Sequence, residues 1–248
     1  MSLFAHQVRA DQLVFWRGRE SAIFVFLFPV LLFLLLSTVY TGEFRGRDLT
    51  DYLVPSLIAY GVANTCFGGL SILLVNRREL GILKRIRATP LPAAMYLGAT
   101  LCSTLLVFAF QVVSISALGR LLYGTTLPDE WPSLLMAYFL AAVCFAGMGF
   151  GAAALIRSAE GASAVVNVII LPMTFLSGGF GPTREYPDVL RAIADVLPLT
   201  YLVDIVEGVV YDGKPIWEQP VAVLVLLAWG LAGTLVAARL FGWEPRER

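Results

Sequence analysis

Long apolar runs separated by short polar segments dominate the pattern of this chain. Six of the runs approach or exceed the roughly 20 residues that an α-helix needs to cross the hydrocarbon core of a bilayer. They lie at 21–40, 52–75, 93–118, 133–156, 161–180 and 221–238. None of them contains Asp, Glu, Lys or Arg. The pattern therefore predicts an all-α polytopic membrane protein with six transmembrane helices.

The composition supports the same class of protein. Of the 248 residues, 58% are hydrophobic and only 15% are charged, and the mean hydropathy is +0.77. A soluble domain of this size has too much polar surface to cover with such a composition. The three cysteines, Cys66, Cys102 and Cys144, all lie in apolar runs, and the single histidine, His6, lies outside them. We therefore expect no disulfide framework and no metal site.

Basic residues are unequally distributed between the two sides that alternate along the chain. Three lysines or arginines precede the first run, five lie in the segment 76–92, one is Arg157, and three follow the last run. The other six lie in the alternate loops. Because positive charge concentrates in cytoplasmic loops, we expect both termini to be cytosolic and the first run to be retained as an anchor.

Residues 1–20 are predicted to form a helix at the membrane interface. Their apolar side chains align on one arc of a helical wheel at Phe4, Val8 and Phe15. Asp11 falls within the same arc, so the amphipathic pattern is weak. Trp16 next to Arg17 is nevertheless typical of the lipid headgroup boundary, which favours the interfacial position.

The segment 76–92 carries its five basic residues between two apolar runs. Drawn as a helix from 76 to 88, it is amphipathic, and it is both too short and too charged to cross a bilayer. One side of that helix carries Arg77, Arg78, Lys84 and Arg85, and the other carries Ile82, Leu83 and Ile86. Pro90 and Pro92 then end the helix, since neither can donate a backbone hydrogen bond. Such a segment either contacts a partner or only fixes the topology of the chain.

The string RELGILKRIRATPL at 78–91 closely resembles the loop between the second and third membrane helices of ABC-2 type transport permeases. The family pattern reads approximately RE-x-G-T-L-K-R-L-R-A-T-P-L, and Ile82 stands where the family usually has threonine. In that family the segment is the coupling element that docks on the ATP-hydrolysing subunit. The resemblance assigns to this contact Arg78, Glu79, Leu80, Gly81, Leu83, Lys84, Arg85, Arg87, Thr89 and Pro90. Within it, Glu79 suits the start of the coupling helix, and Gly81 has no side chain to block a partner's backbone.

The segment 181–219 predicts two short apolar helices at the outer membrane face. The first lies within 182–199, and Pro187 suits its first turn. The second begins near Tyr201, with Gly208 near its end.

Two motifs in the same region strengthen the family resemblance. The sequences FLSG at 175–178 and LPLTY at 197–201 resemble motifs that mark a pair of re-entrant helices in ABC-2 permeases. The resemblance places in this re-entrant segment Ser177, Gly178, Pro198 and Tyr201. Together with the basic segment, these motifs extend the resemblance over nearly the whole chain.

Four polar side chains lie inside the predicted spans, at Asn64, Thr65, Gln111 and Asn167. Hydrogen bonds between helices are the commoner role of such residues. The resemblance offers an alternative, because the second and fifth helices flank the substrate route in the family. On that basis the candidate path residues are Asn64, Thr65, Asn167 and Phe175. Small residues at Gly147, Gly149, Gly151 and Gly161 are expected to permit close helix packing.

The sequence contains no G-x-x-x-x-G-K-S/T motif, so it does not bind nucleotide through a P-loop of its own. We expect ATP and Mg²⁺ on a separate subunit, and no cofactor and no catalytic residue in this chain. Secondary transport usually needs ionisable groups within the membrane, and the predicted spans have none. Intramembrane hydrolysis needs a nucleophile with a base, and His6 lies outside all the spans.

We therefore predict one ABC-2 type transmembrane domain over 1–248. Its parts are an interfacial segment (1–20), five transmembrane helices (21–180), the outer re-entrant helices (181–219), and a sixth helix with a cytosolic tail (220–248). The resemblance implies the membrane subunit of a bacterial exporter in the cytoplasmic (inner) membrane, which moves a drug or a lipid. Export of a polysaccharide or glycolipid is the alternative, and an ATP-independent secondary transporter is a more distant one. The expected partners are an ABC ATPase subunit, a second permease copy, identical or paralogous, and membrane lipids, but no nucleic acid.

Overall fold

The computed structural model describes residues 2–39, 43–44, 47–125, 128–180 and 186–244. Helices make up almost all of this part of the chain, and two short strands pair as an antiparallel hairpin. The helices are α1 (Leu3–Arg17), α2 (Arg19–Val39), α3 (Leu49–Gly61), α4 (Leu70–Glu79), α5 (Ile82–Arg87), α6 (Ala93–Tyr123), α7 (Trp131–Leu155), α8 (Ala159–Leu176), α9 (Asp188–Ala194), α10 (Pro198–Tyr211) and α11 (Pro220–Leu240). The other elements are a π-helical segment (Val62–Gly69), a 3₁₀ turn (Ile216–Glu218), β1 (Glu43–Phe44) and β2 (Arg47–Asp48).

Six helices in the described part of the chain are long and apolar enough to cross a membrane, which confirms the predicted all-α fold with six spans. They are Ala22–Val39, Asp51–Glu79, Ala93–Tyr123, Trp131–Leu155, Ala159–Leu176 and Pro220–Leu240. The second span extends past its predicted end at 75 to Glu79, because the charged residues at its end find partners inside the protein. The third extends past 118 to Tyr123, where Gly124 ends the helix with a left-handed φ of 65°.

The second span, made of α3, the π-helical segment and α4, is the centre of the fold. Of the residues in its apolar stretch, 78% are buried, and the corresponding share is 56% or less in the other five spans. Glycines bring the neighbouring helices close to it. A Cβ built on Gly68 would lie 2.7 Å from the Ile170 side chain of α8, and one on Gly149 of α7 would lie 2.9 Å from the Cys66 carbonyl oxygen. The π-helical segment is thus held between α7 and α8, and such segments are often found at functional sites.

The sixth span packs against α7 through facing glycines. A Cβ on Gly147 would lie 2.7 Å from the carbonyl oxygen of Gly230, and one on Gly151 would lie 2.6 Å from that of Gly233. Close packing is therefore confirmed at Gly147, Gly149 and Gly151. The same prediction is wrong for Gly161, whose Cβ would meet only the hydroxyl of Ser158, 3.2 Å away in its own helix turn.

The two predicted outer helices are present with different bounds. The first is shorter than predicted, since α9 begins after Pro187 and ends at Ala194, and residues 181–185 lie outside the described part. The second begins earlier, with Pro198 in its first turn. Gly208 lies in the last turn of α10, near its end as predicted, and the Gln219 side chain occupies the place that a Cβ would take there.

Hydrogen bonds join the ends of the spans in two separate groups. At one end of the molecule, Arg77 and Glu79 contact the first turns of α6 and α8. At the other end, Ser37 contacts Tyr123, and Tyr52 contacts Gly178. We call "the basic end" the one formed by 76–92, the turn between α7 and α8, and residues 241–244 after α11. The helix predicted for the beginning of the chain is present as α1 and lies against α6. Gln12 Nε2 donates to the carbonyl oxygen of Ser103 at 2.8 Å, which fixes α1 along that helix.

Candidate functional site at the basic end

The basic segment is not one helix. The predicted continuous helix from 76 to 88 is wrong, because α4 ends at Glu79 and α5 begins at Ile82. Between them Gly81 has φ 68° and ψ 12°, a left-handed conformation that costs other L-residues about 1–2 kcal/mol. A Cβ on Gly81 would meet nothing within 4 Å. The glycine is therefore explained by the turn of the backbone, and the space around it is open.

Arg77 does not belong to an exposed polar face, as the helical wheel predicted. It is 8% exposed, and its Nη2 lies 2.9 Å from Oδ1 of Asp11 in α1. Its Nη1 donates to the hydroxyl of Tyr96 in α6 at 2.8 Å. Asp11 also accepts from Thr100 Oγ1 at 2.9 Å and from Gln7 Nε2 at 2.9 Å, so both carboxylate oxygens are used. This buried ion pair joins α1 and α6 to the end of α4.

Arg78 points in another direction and is also buried, with 2% of its surface exposed. It donates to the carbonyl oxygen of Ala153 at 2.8 Å and to that of Ile156 at 2.5 Å. These oxygens belong to the last turn of α7, where the helix itself supplies no partner for its carbonyls. The guanidinium therefore caps α7, and the predicted contact of Arg78 with a separate subunit stays a prediction.

Glu79 is exposed and ends α4, so its predicted position at the start of the coupling helix is wrong. Its carboxylate accepts a hydrogen bond from the backbone N–H of Ala159, the first residue of α8. A negative charge is favourable at the N-terminus of a helix, where the first N–H groups lack partners. The interaction expected for Glu79 is thus present, but with α8.

The surface of the basic end is formed by α5 and the residues next to it. Leu83 is fully buried and packs inside the chain, and its assignment to a partner contact stays a prediction. Thr89 Oγ1 donates to the carbonyl oxygen of Ile86 at 2.6 Å and closes the end of α5 before Pro90. The residues of the predicted contact that remain exposed are Glu79, Leu80, Lys84, Arg85, Arg87, Thr89 and Pro90, and Gly81 is half-buried.

The candidate path residues separate into two groups. Thr65 is buried and donates to Gln111 Oε1 at 3.0 Å, while Gln111 Nε2 donates to the carbonyl oxygen of Val25 at 3.1 Å. The commoner role predicted for these residues, hydrogen bonding between helices, is therefore confirmed for Thr65 and Gln111, while the assignment of Thr65 to the path stays a prediction. Asn64 is half-buried, and α8 exposes Asn167 together with Phe175.

The residues of the two outer motifs meet where α8, α9 and α10 join. The hydroxyl oxygens of Ser177 and Thr200 are 2.9 Å apart, and Tyr52 donates to the carbonyl oxygen of Gly178 at 2.6 Å. Tyr201 donates to the carbonyl oxygen of Asp195 at 2.7 Å. Pro198 begins α10 immediately beside them. The motifs thus fix the outer helices on the fifth span.

Sequence reasoning missed the partners of Arg77 and of Asp11, which binds it. Tyr96 and Thr100 carry no distinctive signal, because both lie near the start of a long apolar helix. Asp11 did carry one, since a carboxylate within an apolar arc must find a partner if that arc is buried. Its position indicated contact with a buried cation.

Comparison with known proteins identifies relatives of the chain. The family model described as "ABC-2 type transporter" matches residues 3–211. "Putative transport permease YvfS" of Bacillus subtilis is 23% identical over 231 residues, which are 92% of this chain and 93% of that protein. "Inner membrane transport permease YhhJ" of Escherichia coli is 23% identical over 68% of this chain. "Probable multidrug ABC transporter permease YbhR" of Escherichia coli is 24% identical over 73% of it. The matches span 45% and 50%, respectively, of those two Escherichia coli proteins.

The buried ion pair leads to a prediction about stability. Asp11→Ala leaves the guanidinium of Arg77 buried without its counterion, so we expect a loss of about 3–5 kcal/mol in the free energy of unfolding. Unfolding of the purified protein in mild detergent measures it. The control is Glu244→Ala, which removes an ion pair to Lys84 that is 3.9 Å long and more than 60% exposed on both sides. That change should cost about 0–1 kcal/mol. Equal losses in the two variants would contradict the prediction.

Proposed function

The chain belongs to the ABC-2 type transporter family, and from that premise we propose that it is the membrane-spanning subunit of an ATP-driven exporter. Its relatives are named transport permeases, so its role is transport and not catalysis. The proposed cargo is a hydrophobic or amphiphilic molecule, a drug or a lipid, moved out of the cytoplasm or the inner leaflet. ATP and Mg²⁺ are bound by a separate ATPase subunit, since this chain has no P-loop.

The observation that carries the proposal is the construction of the basic end. Arg77 and Arg78 are buried and bind three surrounding helices, α1, α6 and α7, whereas Lys84, Arg85 and Arg87 of α5 remain exposed. The end of α4 is thus bonded inside the protein, and the short helix α5 that follows it exposes its charges. Such a helix is suited to transmit force from a partner to the spans. We therefore assign α5 and Gly81 to the docking surface for the ATPase subunit.

The distribution of charge supports a cytosolic position for this surface. Twelve of the 18 lysines and arginines lie in the segments that face the same side as α5. By the positive-inside rule, the basic end lies in the cytosol, both termini with it, and α9 and α10 lie at the outer face. The membrane is the bacterial cytoplasmic membrane.

The exposed face of α8 supports both a second permease copy and an apolar cargo. Asn167 lies on it among large apolar side chains such as Val168, which is 73% exposed, and Phe175, which is 57% exposed. We propose that this face, with Asn64, lines a path between two permease copies, identical or paralogous. The name of the YbhR relative, a multidrug ABC transporter permease, agrees with an apolar cargo.

The proposed topology predicts the labelling of engineered cysteines. In a background without Cys66, Cys102 and Cys144, Asp188→Cys should react with an impermeant thiol reagent added to whole cells. Arg85→Cys should react only after the cells are opened, because α5 is cytosolic. Labelling of the α5 site in intact cells would refute the orientation.

The docking surface predicts how charge reversal affects assembly. Lys84→Glu with Arg85→Glu should leave unfolding of the chain unchanged, because both side chains are exposed. It should weaken binding of the ATPase subunit at least about tenfold, which corresponds to about 1.4 kcal/mol. Co-purification and titration of the ATPase subunit measure the loss. The control reverses two charges at the opposite end, with Arg191→Glu and Lys214→Glu. Wild-type affinity of the α5 variant would show that the basic segment only sets topology.

A further inference from the structure

Two adjacent residues of opposite charge, Arg78 and Glu79, form hydrogen bonds with the two helix ends that flank the turn between α7 and α8. Arg78 donates to the carbonyl oxygens of Ala153 and Ile156 at the end of α7, at 2.8 and 2.5 Å. Glu79 accepts from the N–H of Ala159 at the beginning of α8. The turn between the helices contains only residues 156–158.

Each charge matches the helix end that it contacts. The last carbonyls of a helix carry a partial negative charge, and its first N–H groups carry a partial positive charge. The guanidinium therefore suits the end of α7, and the carboxylate suits the start of α8. Arg157, the basic residue of the turn itself, is exposed, so Arg78 is the cation that reaches these carbonyls from the interior.

The contact lies on a direct route between the proposed docking surface and α8. Glu79 ends α4, Gly81 follows with its left-handed turn, and α5 begins at Ile82. The chain from α5 reaches the end of α4 through Leu80 and Gly81, and the buried side chain of Leu83 also holds α5 on the protein interior. At the end of α4, Arg78 and Glu79 contact backbone atoms of α7 and α8 directly.

We propose that Arg78 and Glu79 form a clamp that makes the turn between α7 and α8 move with α5. The clamp transmits movement of the ATPase subunit to α8, whose exposed face carries Asn167 and Phe175. Both residues are positioning residues, and neither contacts the ATPase subunit or the cargo. This inference rests on the proposed function, because the proposed ATPase subunit is the source of the movement of α5.

The test compares Glu79→Ala with Asp188→Ala. Both changes remove one exposed carboxylate next to a helix start, but Glu79 accepts from the Ala159 N–H, whereas Asp188 lies in the first turn of α9. In the purified chain alone, hydrogen exchange of the amides at 159–161 should rise at least about tenfold in Glu79→Ala and stay near wild type in Asp188→Ala. Unchanged exchange in Glu79→Ala would overturn the clamp.

The second measurement follows α8 in the complex. A bimane label attached after Ser163→Cys, an exposed position of α8, should change its emission when ATP is added to chain and ATPase subunit together. Glu79→Ala should keep ATPase binding and hydrolysis but lose at least about half of that emission change, and Asp188→Ala should keep it. A full emission change in Glu79→Ala would show a purely local cap, and loss of ATPase binding would show a direct partner contact; either overturns the proposal. So does a wild-type complex that hydrolyses ATP without an emission change. Failure of the wild-type chain to bind any ATPase subunit would instead contradict the proposed function.

Discussion

The burial of two consecutive arginines at the end of α4 is the constraint on which the basic end depends. A guanidinium in the interior of a protein must be paired, because leaving it without partners costs several kcal/mol. Arg77 finds a carboxylate and a phenol hydroxyl from α1 and α6, and Arg78 finds backbone carbonyls from α7. Since neighbouring residues of a helix point about 100° apart, one pair of side chains fixes helices on two sides of α4.

This constraint explains the division between the interior and the surface of the basic segment. The helix that supplies the buried charges stops at Glu79, and Gly81 turns the chain before the next helix begins. The buried side chain of Leu83 holds α5 on the protein interior, while Lys84, Arg85 and Arg87 of the same helix are exposed. The exposed charges of α5 thus follow directly after a helix end that is bonded to α1, α6, α7 and α8.

The sequence predicted the large elements well, because six long apolar runs leave few alternatives in a membrane. It also predicted the outer helices and the close packing at Gly147 and Gly151. The sequence did not predict the positions of individual charged side chains. A helical wheel assigns Arg77 and Arg78 to the exposed polar face because of their charge, but both are buried, since their partners come from distant parts of the chain. Hydrogen bonding between helices was the commoner role predicted for Thr65 and Gln111, but only the fold shows that these two residues bind each other. Asp11, a carboxylate in an apolar arc, was the visible sign of the buried ion pair.

The central claim is that α5 is the surface through which a separate ATPase drives this membrane subunit. A photo-crosslinking amino acid at the position of Arg85 in α5, and in a second variant at Val189 in α9, tests it in native membranes. Both sites are exposed, and they lie at opposite ends of the molecule. The account predicts that an ATP-hydrolysing subunit, identified by mass spectrometry, is captured from α5 and not from α9. Capture from α9, or no capture from α5 where the two chains co-purify, would contradict it.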